Sequence, residues 1–450
     1  MIQGRTRLAS AFIISSVFLA APGLATADDT VLLQESPKPG QQFHIKTRGD
    51  LSGVLQLPAD AKADPKKPAA PGALKLIGNS STEYDETCLG ADGATVAKSF
   101  RVYRTLDYRR TIGEQRQEST LRQDVRRLLV IPQRENEFVL SPDGPLTLQE
   151  VEQAQLEVYT PRLNGLFPRA AVKPGEVWKA SDDAIHELAD MEINSNEVVC
   201  KLIAVENREG RHLAVVNFSG TVSGTSQDGA CRQRLDGTYS FDLQGHYLSD
   251  LSLAGISWML DANGKEVGKI EGRFVLTRKP TDLPELRLAE LQRLTLEPTD
   301  LNTALLFDEP NMGLRFVYPR RWTVKQADAR QVILDDGQGA GLLLTMEPLA
   351  QLPTAVQFES EARAALLKQK ITPLRQDPPR RLVSGIEPID QFGYEVENDK
   401  KQRLVMDYFV VKQAAGGATG AATFPASRAA EATAEVERIV KSLRLTPPRR

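Results

Sequence analysis

The stretch VVNFSGTVSGT (residues 215–225) alternates apolar positions with small polar ones along its whole length. Successive side chains of a β-strand point to opposite faces, so this spacing predicts a strand with Val216, Phe218 and Val222 on one face. Its asparagine, serines and threonines then occupy the other face. One apolar and one polar face are typical of an antiparallel sheet that contacts water on one side only.

Similar segments flank this stretch and extend the predicted sheet. Four or five long strands fill residues 195–278, and the polar, glycine-bearing connections NREGR, TSQDGA, LQGHY and DANGKE predict hairpins between them. Residues 74–140 are also strand-like. PLTLQEVEQAQLEV (145–158) and SDDAIHELADM (181–191) predict short helices, the second capped by Ser181. The fold class predicted here is α+β, with a large curved antiparallel sheet domain that carries short helices.

The composition of the chain changes along its length and predicts its organisation. Residues 1–27 are a predicted signal peptide, and residues 28–278 are the β-rich sheet domain. Within that domain, residues 59–72 are rich in Ala, Pro, Lys and Asp and predict a flexible loop. Residues 279–308 carry several prolines and predict a linker. Residues 309–446 then form a second, smaller domain.

The N-terminal segment predicts export. Two positive charges precede an uncharged apolar run, and small residues lead to a cleavage site after Ala27. That run is too short for a membrane span, and no later stretch approaches 18 apolar residues. We therefore expect an exported protein that does not span a membrane, with periplasmic and extracellular locations both open.

The charges of the chain are balanced and interspersed. It has 56 Lys and Arg against 59 Asp and Glu, a formal net charge of −3. Nucleic acid is therefore not an expected partner, because no basic stripe or block is present.

The chain has three cysteines, Cys88, Cys200 and Cys231. If the protein is exported as predicted, they are exposed to an oxidising compartment. Their spacing matches no zinc-ligand pattern, so no metal site is predicted. At most one internal disulfide can form, and Cys200 with Cys231 is the nearer pair. A simple meander places these two opposite different residues, so a bridge needs a shifted register. Buried free thiols are the alternative, and both stay open.

The C-terminal domain resembles the PsbP-like and DcrB-like families of small exported α/β domains. The resemblance is carried by GLRFVYPRRWTV (313–324), a helix after LLLTMEPL (342–349), the paired strands FGYEVEN and RLVMDYFVVK, and a closing helix ending in IVKSLRL (439–445). It implies a PsbP-like α/β sandwich whose first hairpin is marked by the aromatic residues of the opening segment. Arg320 and Arg321 would then be exposed on the turn of that hairpin. These families share no catalytic residues.

Residues 74–278 resemble exported bacterial proteins of unknown function. The resemblance is carried by DGPLT (143–147), LFPRAAVKPGEVW (166–178) and a strand series that closes at EGRFVLTRK (271–279). The arrangement is similar to the half-barrel sheets of LolA-like lipoprotein carriers in architecture only. Fold analogy does not by itself supply a function.

The sequence contains no recognisable catalytic motif. Its four histidines, His44, His186, His212 and His246, all lie more than ten residues apart. No catalytic, cofactor-binding or metal-binding residue is predicted, and no cofactor is expected. The resulting hypothesis is an exported, non-catalytic binding or scaffolding protein whose curved sheet carries an apolar small molecule or contacts another envelope protein. A cell-envelope hydrolase with a site assembled from distant residues is the alternative, so enzymatic activity stays open.

Overall fold

The computed structural model describes residues 30–56, 72–93, 95–134, 136–371, 373–382, 388–398 and 400–447. The predicted signal peptide (1–27) lies outside the described residues, and so does the predicted loop at 59–72 except for Gly72. The described chain divides into two compact units. The first comprises the residues up to Asp143 together with Gln149–Glu297, and the second comprises Gly144–Leu148 together with the residues from Pro298 onward.

The strands up to residue 280 are, in chain order, β1 (Gln42–Gln56), β2 (Ala73–Asp92), β3 (Thr95–Ile112), β4 (Gln115–Thr120), β5 (Arg127–Pro132), β6 (Glu137–Leu140), β7 (Leu146–Thr147), β8 (Val177–Lys179), β9 (Glu192–Asn196), β10 (Val199–Arg208), β11 (Arg211–Ser226), β12 (Gly229–Asp242), β13 (Tyr247–Leu260) and β14 (Glu266–Pro280). The later strands are β15 (Leu305–Glu309), β16 (Leu314–Tyr318), β17 (Thr323–Ala327), β18 (Gln331–Asp335), β19 (Gly341–Glu347), β20 (Pro373–Leu382), β21 (Ile389–Glu397), β22 (Arg403–Gln413), β23 (Gly416–Pro425) and β24 (Arg444–Leu445). The α-helices are α1 (Leu148–Gln155), α2 (Asp182–Ala189), α3 (Leu288–Leu291), α4 (Ala355–Lys368) and α5 (Ala429–Ser442).

The first unit contains a large sheet with the strand order β6-β5-β3-β2-β1-β14-β13-β12-β11-β10-β8, in which β4 pairs with β3 and β9 with β11. Its described pairings are antiparallel. The predicted series of long strands is confirmed as β10–β14, which follow one another in both sequence and space. The coarse fold prediction, antiparallel sheets with few short helices, is therefore confirmed.

Alternation along these strands separates a buried face from an exposed one. Val216, Phe218 and Val222 on β11 are buried, as predicted from the opening stretch, whereas Asn217 and Ser219 between them are exposed. Side chains of α2 pack with this buried face in one hydrophobic core. Ser181 caps α2 as predicted, since its side chain accepts a hydrogen bond from the backbone N–H of Ala184 (3.3 Å). We call the buried side of this sheet the inner face.

The second unit contains two sheets, with strand orders β24-β16-β15-β7 and β17-β18-β19-β23-β22-β21-β20. The predicted first hairpin across Pro319 is wrong. β16 pairs with β15 and β24, whereas β17 pairs with β18 in the other sheet. The chain therefore changes sheets between Tyr318 and Thr323. The closing helix α5 buries one face, with Val436, Ile439 and Val440 all buried.

The predicted exposure of Arg320 and Arg321 is also wrong. Arg321 donates from Nη1 to Asp336 Oδ2 (3.0 Å) and from Nε to Glu435 Oε1 (2.9 Å). Arg320 donates from Nε to the carbonyl oxygen of Thr303 (2.7 Å), and burial lowers its pKa to about 10. Both arginines therefore bind to other segments of the second unit.

Candidate functional site

A cleft with a volume of about 130 Å³ lies against the inner face of the first unit. Residues of β1, β2, β3, β12, β13 and β14 line it, together with residues of α1, α2, the segments that follow these helices and the β11–β12 turn. The six strands are consecutive in the sheet. The cleft therefore takes its lining from a continuous part of the sheet.

Two glycines create part of this space. Gly255 on β13 and Gly272 on β14 are direct cross-strand partners, and both line the cleft. Neither carries a side chain, so the inner face has a hollow where two neighbouring strands would otherwise each contribute one. A Cβ at Gly255 would lie 3.4 Å from Leu235 Cδ2 and 3.5 Å from the carbonyl oxygen of Arg234. These distances are ordinary contacts, so the backbone itself does not require glycine there.

The walls beside this hollow are mostly apolar. The lining side chains of this kind on the sheet include Leu106, Leu235, Leu253, Ile256, Met259, Ile270 and Phe274. Apolar walls of this kind release water readily when an apolar group enters, which is the usual character of small-molecule sites. The volume is close to the ~150 Å³ of an engineered apolar cavity that takes benzene.

Two polar side chains, Gln153 and Glu157, line the cleft near the end of α1. Gln153 donates from Nε2 to the backbone oxygens of Leu106 (2.7 Å) and Ser119 (3.2 Å). Among the described residues, neither Gln153 Oε1 nor Glu157 Oε1 has a hydrogen-bond partner, although both atoms are buried. Buried acceptors without a donor are uncommon in native proteins, and these two can accept from a donor that enters the cleft.

Glu157 also belongs to a buried charge network. Arg101, only 2% exposed, donates from Nε to Glu86 Oε2 (3.0 Å) and from Nη1 to Glu157 Oε2 (3.3 Å). Tyr103 donates its hydroxyl to the same oxygen of Glu157 (3.1 Å). The guanidinium carbon of Arg101 lies 4.8 Å from the ring centre of Tyr84. Two carboxyl groups therefore share one buried guanidinium.

This environment raises the pKa of Glu157 to about 7. Burial is the largest cause, and it outweighs the charge of Arg101 and hydrogen bonds from Tyr103 and Thr82, which act to lower the pKa. The carboxyl group is therefore about half protonated near neutral pH. It can change its charge within the range that a cell compartment experiences.

Stability should depend on pH through Glu157. The folded state retains a proton that the unfolded state loses near the ordinary value of 4.5. This contribution to stability is fully present below pH 4.5 and is lost as pH rises through 7, on the order of 3 kcal/mol in total. We expect Glu157→Gln to flatten the decline in unfolding free energy between pH 5 and 8, measured by urea denaturation. The exposed Glu192→Gln should retain the decline, and an equal slope in parent and Glu157→Gln would contradict the assignment.

The strand pairing shows which residues lie opposite the two cysteines of the predicted disulfide. Cys200 lies opposite Phe218 and Cys231 lies opposite Gly224, so the two cysteines face different residues, as a simple meander predicts. In the structure Cys88, Cys200 and Cys231 are all free and buried. Burial raises the pKa of the Cys200 thiol to about 12, so this thiol is unreactive near neutral pH. A Cys200–Cys231 bridge is not formed here, and under oxidising conditions it stays a prediction.

The histidines lie on separate elements. His44 is on β1, His186 in α2, His212 on β11 and His246 in the β12–β13 connection. His44 contacts Asp85 through Nδ1 (2.7 Å), and His186 contacts the backbone oxygen of Met191 (2.6 Å). Within the described lining of the cleft there is no histidine. No group of three or more His, Cys, Asp or Glu in the described residues could hold a metal ion.

The fold and the cleft together define an antiparallel β-sheet protein with a small apolar cleft on one face of its large sheet. Profiles of known protein families give no match to the chain, and no curated protein matches it either. A search for a membrane-spanning helix in the described residues finds none that is sufficiently long and apolar.

Three solved structures show distant similarity. Cyanobacterial PsbP (CyanoP) from Synechocystis sp. PCC 6803 is 12% identical, with 32% of this chain and 93% of that protein covered and a TM-score of 0.26. A lipovitellin structure is 11% identical, over 56% of this chain and 27% of its own, with a TM-score of 0.29. MucB in complex with MucA(peri) is 11% identical, over 88% and 93%, with a TM-score of 0.13. Scores this low carry no argument about function.

Proposed function

We propose that this chain is an exported, non-catalytic binding protein whose cleft holds a small apolar ligand. The cleft at the Gly255–Gly272 pair is the single observation that carries the proposal. Much of the inner face of β10–β14 packs into a hydrophobic core, whereas at the glycine pair a space remains that apolar side chains line. An unfilled apolar surface inside a packed unit costs stability, and a ligand that covers it recovers that loss.

The size and chemistry of the cleft support a ligand with a compact body. Leu253, Ile270 and Phe274 supply apolar contact, and Gln153 and Glu157 supply hydrogen-bonding groups at one place in the lining. Sites of this kind use apolar walls for affinity and a few polar groups for orientation. A body about as large as a benzene ring, carrying one polar substituent, fits this description.

Filling the hollow tests this proposal. In Gly255→Leu the new side chain starts from a tolerated Cβ position and extends into the cleft. We expect the parent protein to bind 2-phenylethanol in isothermal titration calorimetry and Gly255→Leu to bind it at least about tenfold more weakly, because a buried side chain then occupies the site.

The adjacent Ala254 provides a matched control. It is exposed and points to the opposite face of β13, so Ala254→Leu adds the same volume outside the cleft. This control should bind 2-phenylethanol as the parent does. Absence of binding by the parent, or equal affinity in parent and Gly255→Leu, would overturn the proposal.

The domain assignment and the PsbP-like resemblance are part of the same proposal. In it, residues 28–278 form the binding domain, residues 279–308 the linker and residues 309–446 a PsbP-like domain that docks to an envelope partner. Support comes from the antiparallel pairing of β21 with β22, the paired late strands that are one part of the resemblance. The envelope-hydrolase alternative stays a prediction.

A further inference from the structure

We infer that the cleft selects ligands whose apolar body carries a positive charge, that is, hydrophobic amines. The inference rests on the proposed function and adds the chemical class of the ligand. It combines two observations on the lining: the sign of its charged side chains and the kind of hydrogen-bonding atom that it leaves without a partner.

The charged side chains that line the cleft are all acidic. Glu157, Asp190 and Asp228 are among its lining residues, and within the described lining there is no Lys, Arg or His. Asp107 also borders the cleft, but it pairs with Ser81 on β2 and belongs to the outer face by alternation. A ligand in the cleft is therefore close to negatively charged carboxylates, and no cationic side chain of the described lining faces it.

Two cationic side chains, Arg101 and Arg110, are near the cleft, but they leave the charge of its lining negative. Arg101 does not line the cleft and is shared between the carboxyl groups of Glu86 and Glu157. Arg110 lies on the inner face of β3 beyond Tyr108, with which it interacts, and it does not line the cleft. The two carboxyl groups around Arg101 together outnumber its single charge.

The second observation is independent of charge counting. The side chains of Glu157 and Gln153 are 6% and 4% exposed, and each retains a buried Oε1 without a hydrogen-bond partner. Both atoms are acceptors, so a ligand group that contacts them must be a donor. An ammonium group offers three donors and no acceptor. A carboxylate or phosphate group offers no donor and would place a negative charge against Glu157.

The expected order of affinity follows from these groups. A neutral hydroxyl supplies one donor, whereas an ammonium group adds a charge-assisted hydrogen bond to the carboxylate, which is roughly twice as strong. An anionic head gains no hydrogen bond here and loses its hydration. The cleft should therefore bind a hydrophobic amine best, the matching alcohol less well and the matching acid least.

Three probes with the same phenyl body test this order: 2-phenylethylamine, 2-phenylethanol and 3-phenylpropanoate. At pH 8 we expect calorimetry to show the amine binding about tenfold or more tightly than the alcohol. The acid should show no measurable binding. Equal or tighter binding of the acid would overturn the inference while leaving the proposed function in place, and if none of the probes binds, both are overturned.

Two variants test which acidic side chains cause the preference for the amine over the alcohol. Glu157→Gln keeps the shape of the side chain and removes its charge, so the amine should lose its advantage over the alcohol. Asp228→Asn alters an exposed turn residue, which carries little risk to folding, and should weaken amine binding about twofold to threefold. The exposed Asp183→Asn on α2 is outside the lining and should leave the amine preference intact. An undiminished preference in both cleft variants would overturn the inference.

Discussion

Replacing Arg101 with methionine is expected to lower the free energy of unfolding by about 3–5 kcal/mol. The guanidinium is buried and holds the carboxyl groups of Glu86 and Glu157. Removing it leaves two buried acidic groups without the guanidinium that both contact. Urea denaturation at pH 8, where the carboxyl groups are most costly to bury, gives the clearest measurement.

Two further variants show whether charge imbalance is the cause. The triple variant Arg101→Met, Glu86→Gln and Glu157→Gln removes all three charges, and we expect it to recover a large part of the lost stability. Arg109→Met, on the same strand but exposed and paired only loosely with Glu118 (3.7 Å), should cost less than about 1 kcal/mol. A single Arg101→Met variant as stable as the parent would show that the network does not support the fold.

Replacing Trp322 with alanine is expected to destabilise the second unit by about 3–5 kcal/mol. The indole is 1% exposed, and its Nε1 donates to Glu435 Oε2 (2.7 Å) on α5. Glu435 in turn accepts from Arg321, which also binds Asp336. The substitution therefore opens a cavity and removes a hydrogen bond from a carboxylate that links three segments.

The measurement separates packing from hydrogen bonding. Trp322→Phe retains most of the apolar volume and loses the indole donor, so it should cost about 1.5–3 kcal/mol in urea denaturation. Trp258→Ala, on β13 in the first unit, removes a half-buried ring stacked near Arg232 (5.1 Å) and should cost less than Trp322→Ala. Equal losses for Trp322→Ala and Trp258→Ala would contradict this account of the second unit.

The candidate site shows where prediction from local patterns ends. Gly255 and Gly272 each occur in a predicted strand, but their direct pairing depends on the register of β13 against β14. Glu157 is near the end of a predicted short helix, and nothing near it in sequence indicates burial beside Arg101, which lies 56 positions away. The acidic character of the lining likewise arises from residues of separate turns and helices.

The amino-acid sequence by itself determined the elements of this protein. Period-two alternation, glycine-bearing turns and the Ser181 cap are local features, because each depends on neighbours within a few residues. They predicted the strands β10–β14, their hairpins and the exposed face of β11.

Only the tertiary structure decided which elements share a sheet and what lies between them. The segment GLRFVYPRRWTV has two strands around a proline, as a hairpin would, yet its halves enter different sheets, and Arg321 binds Asp336 and Glu435. Sheet partners and buried ion pairs join residues far apart in the chain, and their free energies depend on the burial that the complete fold creates. The cleft has the same origin, because it is space left by the packing of six strands against the segments around α1 and α2.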